Sequence, residues 1–112
     1  MFTAIKITGT FVRPDGLPDQ GTITATLSEP MTNSGETVEV EPILGMLNSE
    51  GELVAQSGEP FELFANDDVG TKPPGAEYAF VLQLDNAPVR AFSAAVPHAA
   101  AEGKIDLIEL EA

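Results

Sequence analysis

Short stretches of alternating side chains, cut apart by dense turn residues, most narrow the folds open to this chain. Ile5, Ile7, Gly9 and Phe11 alternate with Lys6, Thr8 and Thr10, and Ile23, Ala25 and Leu27 alternate with Thr22, Thr24 and Thr26. Val38 and Val40 alternate with Glu39 and Glu41, and Tyr78, Phe80, Leu82 and Leu84 with Ala79, Val81 and Gln83. A period of two gives each stretch one buried and one wet face, the pattern of antiparallel strands. Ten Gly and nine Pro cluster between these stretches, as in Arg13-Pro14-Asp15-Gly16, Pro30 to Gly35, Asn66 to Gly75 and Pro97 to Gly103. About seven strands with a turn signal roughly every 8 to 14 residues predict an all-β antiparallel sandwich. A chain of 112 residues is expected to form it as one domain over 1–112, burying about two thirds of its unfolded surface.

Two hairpins are specified locally. One joins Ile43–Leu47 to Glu52–Ala55 through Asn48-Ser49-Glu50-Gly51, with Gly51 suited to a left-handed backbone. The other joins Tyr78–Leu84 to Val89–Val96 through Asp85-Asn86-Ala87-Pro88. His98 to Glu102 is the one helix candidate, and it is too short to persist without packing.

Charge decides which partners are compatible. Five basic against eighteen acidic residues give a formal charge of −13, which repels a phosphate backbone or an anionic bilayer. Nucleic acid and membrane are therefore not expected partners. Between residues 26 and 70 lie Glu29, Glu36, Glu39, Glu41, Glu50, Glu52, Glu59, Glu62, Asp67 and Asp68, and no Lys or Arg. Val38, Ile43, Leu44, Leu53, Phe61 and Leu63 are interleaved with them, so the stretch has apolar surface to bury and is expected to fold. Alternation then predicts an acidic face on the sandwich. With no Cys, neither disulfides nor thiolate metal sites contribute. The opening MFTAIKITGTF breaks its apolar residues with Thr, Lys and Gly, unlike a secretory signal, so folding in a cytoplasm is expected.

No constellation of catalytic type stands out. His98 is the sole histidine, and as a general base it would need a nucleophile and an orienting carboxylate. Asn66-Asp67-Asp68 before Gly70 offers oxygen ligands for a hard cation, but lacks EF-hand spacing and reads better as a capped turn. The Gly16–Gly21 and Gly70–Gly75 stretches lack the features of a phosphate cradle. The chain is therefore read as a non-enzyme, with no cofactor and no metal. Phe61-Glu62-Leu63-Phe64 puts Phe61 and Leu63 on one face and Phe64 on the other, leaving Phe64 as a candidate interface anchor. Phe64 and the loop after it (Asn66, Asp67, Asp68, Pro73 and Pro74) form the candidate partner-contacting segment.

Two resemblances add to this reading. Ile7-Thr8-Gly9-Thr10-Phe11-Val12-Arg13-Pro14-Asp15-Gly16, followed by Pro18 and Gly21-Thr22-Ile23-Thr24, resembles the opening of carboxypeptidase-regulatory-like (transthyretin-like) sandwich domains. Together with Leu47-Asn48-Ser49-Glu50-Gly51-Glu52-Leu53, Lys72-Pro73-Pro74-Gly75-Ala76-Glu77-Tyr78, Ala95-Val96-Pro97 and Ile105-Asp106-Leu107, it is similar to small virion proteins of tailed phages infecting actinobacteria. The resemblance implies an immunoglobulin-like or transthyretin-like sandwich and a structural role as a capsid decoration or minor tail protein. It also implies a major capsid or tail protein as partner, a homo-oligomer or multicopy array, and a place on the virion surface after assembly in the host cytoplasm. The alternative from another class is a free-standing carbohydrate- or peptide-binding module.

Overall fold

The computed structural model describes residues 2–85 and 87–111, so Asn86 of the second expected turn lies outside the described residues. The chain is nearly all β. Its strands are β1 (Ala4–Thr8), β2 (Gly21–Leu27), β3 (Met31–Asn33), β4 (Glu36–Val38), β5 (Pro42–Leu47), β6 (Leu53–Ala55), β7 (Glu62–Phe64), β8 (Tyr78–Leu84), β9 (Arg90–Ala94) and β10 (Lys104–Asp106). A 3₁₀ turn spans Ala101–Gly103 and a short helix, α1, spans Leu107–Glu111.

Two sheets share one core. The larger has the order β6-β5-β2-β8-β9 and is antiparallel throughout. The smaller has the order β10-β1-β7, where β1 is antiparallel to β7 and parallel to β10. β3 and β4 form a separate two-stranded hairpin. The alternating residues make the core: Ile23, Ala25 and Leu27 of β2 face Leu82, Phe80 and Tyr78 of β8 in register, and all six are buried. Ile5, Ile7 and Leu63 bring the inner face of the small sheet against them. Phe80 stacks on Phe92 at 5.0 Å between ring centres. Each fully buried side chain of this size contributes roughly 1.5–3 kcal/mol, so the shared core is what holds the sheets together.

Two glycines are required by close approach. Gly51 has φ +80 and Gly21 φ +151, and a Cβ at either would collide with backbone, the carbonyl oxygens of Phe11 and Gln83 respectively. The left-handed turn anticipated at Gly51 is thus present. Its loop is closed by the Asn48 side chain, whose Oδ1 accepts from the Glu50 and Glu52 amides at 2.9 and 3.0 Å.

The structure corrects four local expectations. Among the described residues there are ten short strands, not about seven. Pro30 to Gly35 is not simply a turn: it holds β3, and Ser34-Gly35, both with positive φ, make the two-residue hairpin turn into β4. Glu39 and Glu41 lie in the exposed connection between β4 and β5, because the alternating strand ends at Val38. Helix forms at α1, not over His98–Glu102, where only a 3₁₀ turn begins at Ala101. Asp106 caps α1, its Oδ1 accepting from the Ile108 amide at 3.0 Å, and Asp106-Leu107-Ile108-Glu109 has the capping-box spacing that signals such a start. Burial of Leu107 compensates for the helix's short length.

Candidate partner-binding surfaces

Sheet register, β2 to β8 and β2 to β5, places the end of β2 and the starts of β5 and β8 at one end of the molecule. The loop of residues 65–77 closes that end and contains most of the candidate contact segment. Its residues are held from four directions. Asn66 is 1% exposed: its amide donates to the Val96 carbonyl at 2.9 Å, its Oδ1 accepts from the Val96 amide at 2.8 Å, and its Nδ2 meets Met31 Sδ. Asp68 accepts from the amide and hydroxyl of Thr3 at 2.7 and 2.8 Å. Lys72 exchanges backbone bonds with Thr32, and Asn33 donates to Thr71 Oγ1 and the Val69 carbonyl.

Asp67 and His98 complete the closure. One oxygen of Asp67 accepts from the His98 amide at 2.7 Å and lies 2.8 Å from the ring's Nδ1. The hydrogen bond from the Asp67 carboxylate raises the His98 pKa above its ordinary value, against the opposing effect of desolvation. For Asp67, partial burial pushes the carboxyl up, but the His98 amide and ring together hold it below its ordinary value. The pair does the chemistry of a tie between segments. Both Asp67 and Asp68 spend carboxylate oxygens on protein donors, as a capped loop does, and no group of three metal-ligating side chains is present among the described residues.

Of the candidate contact residues, then, Asn66 faces inward, and Asp67 and Asp68 are engaged in pinning the loop. Pro73 follows a cis peptide bond and is half-buried, while Pro74 is exposed. Phe64 is 43% exposed, its ring lies tilted against that of Phe2 with centres 5.6 Å apart, and its carbonyl accepts from the Tyr78 hydroxyl at 2.9 Å. Burial pushes that hydroxyl up to about 12. Thr3, Asn33, Val96 and His98, which complete the loop's ties, were not selected from sequence. Their roles depend on segments 30 or more residues apart.

The expected acidic face is not found on the large sheet. Of the ten carboxylates between residues 26 and 70, only Glu36 in the β3–β4 hairpin and Glu62 in β7 lie in strands; the rest occupy turns and connections. The outer face of the large sheet presents Val54 from β6; Pro42, Leu44 and Met46 from β5; Thr22, Thr24 and Thr26 from β2; Ala79, Val81 and Gln83 from β8; and Ala91 and Ser93 from β9. Not one is charged. A fifth of the chain is charged, so about two or three of these twelve positions would carry charge if residues were scattered without regard to place. Leu44 and Met46 are 36% and 37% exposed, and Thr22 bridges to Gln83 across the strands at 3.4 Å. The face is open and neutral, and residue register alone assembles it from five separate segments.

No protein-family model matches the chain, and neither a curated protein nor a solved structure matches it. Among the described residues no helix is long and apolar enough to cross a membrane.

Proposed function

We propose that this domain is a non-enzymatic structural subunit that docks in many copies on a larger assembly, a capsid decoration or minor tail protein of a tailed-phage virion. What supports this reading, beside the resemblance in sequence, is the uncharged outer face of the large sheet on a chain of net charge −13. Carboxylates at the loops keep copies soluble and apart. The neutral face is where a partner can be met without desolvating a charge.

Size sets how strong that contact is. Five strands about 4.8 Å apart and some 17 Å long make roughly 400 Å² of face. That matches the largest apolar patches on single domains, and is about half of what each partner buries in a standard stable interface. Each copy is therefore weakly held by this face alone, and an array of copies on a repeating shell supplies the rest by multivalency.

The reading is tested by mass spectrometry of purified phage particles whose genome encodes the chain. Peptides at many copies per particle, with Thr24→Lys cutting incorporation at least tenfold, are the expected result. Absence of the chain from washed particles overturns the reading. Strong saturable binding on a glycan array would replace it with the carbohydrate-binding module.

A further inference from the structure

The small sheet leaves a strand edge open, and this second surface is independent of the neutral face. Among the described residues β7 pairs with β1 on one side only. The Ala65 amide donates to the Thr3 carbonyl and the Ile7 amide to the Phe61 carbonyl, both at 2.8 Å. Backbone groups alternate along an antiparallel strand. Residues 61, 63 and 65 therefore turn their hydrogen-bonding groups toward β1, and Glu62 and Phe64 turn theirs away. The Phe64 carbonyl is taken by the Tyr78 hydroxyl. The amide and carbonyl of Glu62 and the amide of Phe64 remain on the outer edge.

Both edges of the large sheet are covered. Along β6, the Leu53 amide donates to the Gly9 carbonyl, and Val54 bridges to Pro60. Against β9 lies α1, with Arg90 paired to Glu111 at 3.3 Å. The edge of β7 instead borders a hollow lined by Ala4, Ile43, Glu62, Leu63 and Phe64. Ile43 is 37% exposed there, although it belongs to the inner face of its sheet.

We propose that the edge of β7 receives an extended segment of a partner protein as an added strand. The pattern of that segment follows from the pleat. Its residue opposite Leu63 points toward Ile43 and is apolar. Its neighbours stand on the outer face beside Glu62 and Phe64, and are Lys or Arg. A cation beside Glu62 meets a carboxylate within a stretch, 26 to 70, that has no basic residue of its own, though Lys6 sits in register on the far side. A cation beside Phe64 meets an exposed aromatic ring.

The test is amide hydrogen exchange by NMR on the full chain, with the peptide acetyl-Thr-Lys-Val-Lys-Thr-amide as probe. In the free chain the Glu62 and Phe64 amides are expected to exchange at least tenfold faster than that of Leu63. At millimolar peptide they slow at least tenfold while Leu63 is unchanged, and the same peptide with Asp for Lys has no effect. Glu62→Pro removes the outward donor at a position where an edge tolerates it, and is expected to abolish the protection of Phe64. If that variant loses its fold by circular dichroism, Glu62→Lys serves instead and is expected to transfer the preference to the Asp peptide. Slow exchange of Glu62 and Phe64 in the free chain, or no protection by the Lys peptide at millimolar concentration, overturns the proposal. Neither outcome bears on whether the chain is a virion subunit.

Discussion

The outer faces of the two sheets differ in kind. The small sheet shows water Lys6, Glu62, Lys104 and Asp106 among Ala4, Thr8 and Phe64, with charges of both signs brought side by side by register, Lys6 opposite both Glu62 and Lys104. The large sheet shows Thr, Val, Leu, Met, Ala, Ser, Pro and Gln and no charge at all. Their inner faces are alike, apolar and merged into one core. Folding therefore imposes the same rule on both sheets only where they touch each other. On the outside folding asks for no more than wettability, so the absence of charge from the large sheet's outer face is not something that packing of the core requires.

If the difference is confined to the outside, substitutions on the two inner faces must cost alike. Phe80→Ala in the large sheet is expected to lose about 3–5 kcal/mol and Leu63→Ala in the small sheet about 2–5 kcal/mol, by urea denaturation. A small-sheet loss under about 1 kcal/mol would show that the core belongs to the large sheet alone. Next in size, Asn66→Ala at the end closing both sheets leaves the Val96 amide without its side-chain acceptor. It is expected to cost about 1–3 kcal/mol, read from the same denaturation curves.

The outer faces separate in the next comparison. Thr24→Lys on the large sheet and Lys6→Thr on the small one should each change stability by no more than about 0.5 kcal/mol. Incorporation into particles is expected to fall at least tenfold with the first and to hold with the second. Equal behaviour of the two would erase the distinction between the faces.

The smallest effect is a pH dependence at the loop end. His98 is raised when folded, so its contribution is complete below about 6.5 and fades as pH rises through the raised value. Asp67 is lowered when folded, so its contribution is complete above about 3.8 and fades as pH falls through the depressed value. Together they support the fold most between about pH 4 and 6.5. Both side chains are about half exposed, so the effect is small. Thermal melts of His98→Ala are expected to lose this part of the pH profile while keeping the rest.

The strands and hairpins were readable because their signals are local. Ile23, Ala25 and Leu27 or Tyr78, Phe80 and Leu82 announce a half-buried strand within seven residues, and Asn48 to Gly51 announces its own turn. The acidic face was misplaced for the same reason. Alternation at Val38-Glu39-Val40-Glu41 shows period two, but not that pairing with β3 stops at Val38. α1 was missed because Leu107 and Leu110 suit strand or helix, and only the cap at Asp106 tips the balance. In the candidate segment, the exposure of Phe64 was legible from the odd step in Phe61-Glu62-Leu63-Phe64. The burial of Asn66 was not, because its partners are Val96 and Met31.

The sequence by itself determined that this chain is β-rich, acidic and divided by turns, because periodicity, charge and backbone preference act over a few residues. Only the tertiary structure decided that twelve positions from five segments make one neutral face, and that the loop of Asn66 to Asp68 is spent on holding the molecule shut. It also decided that β7 keeps an open edge. Each of these depends on register between distant segments, and register is settled by the packing of a common core that no single segment encodes.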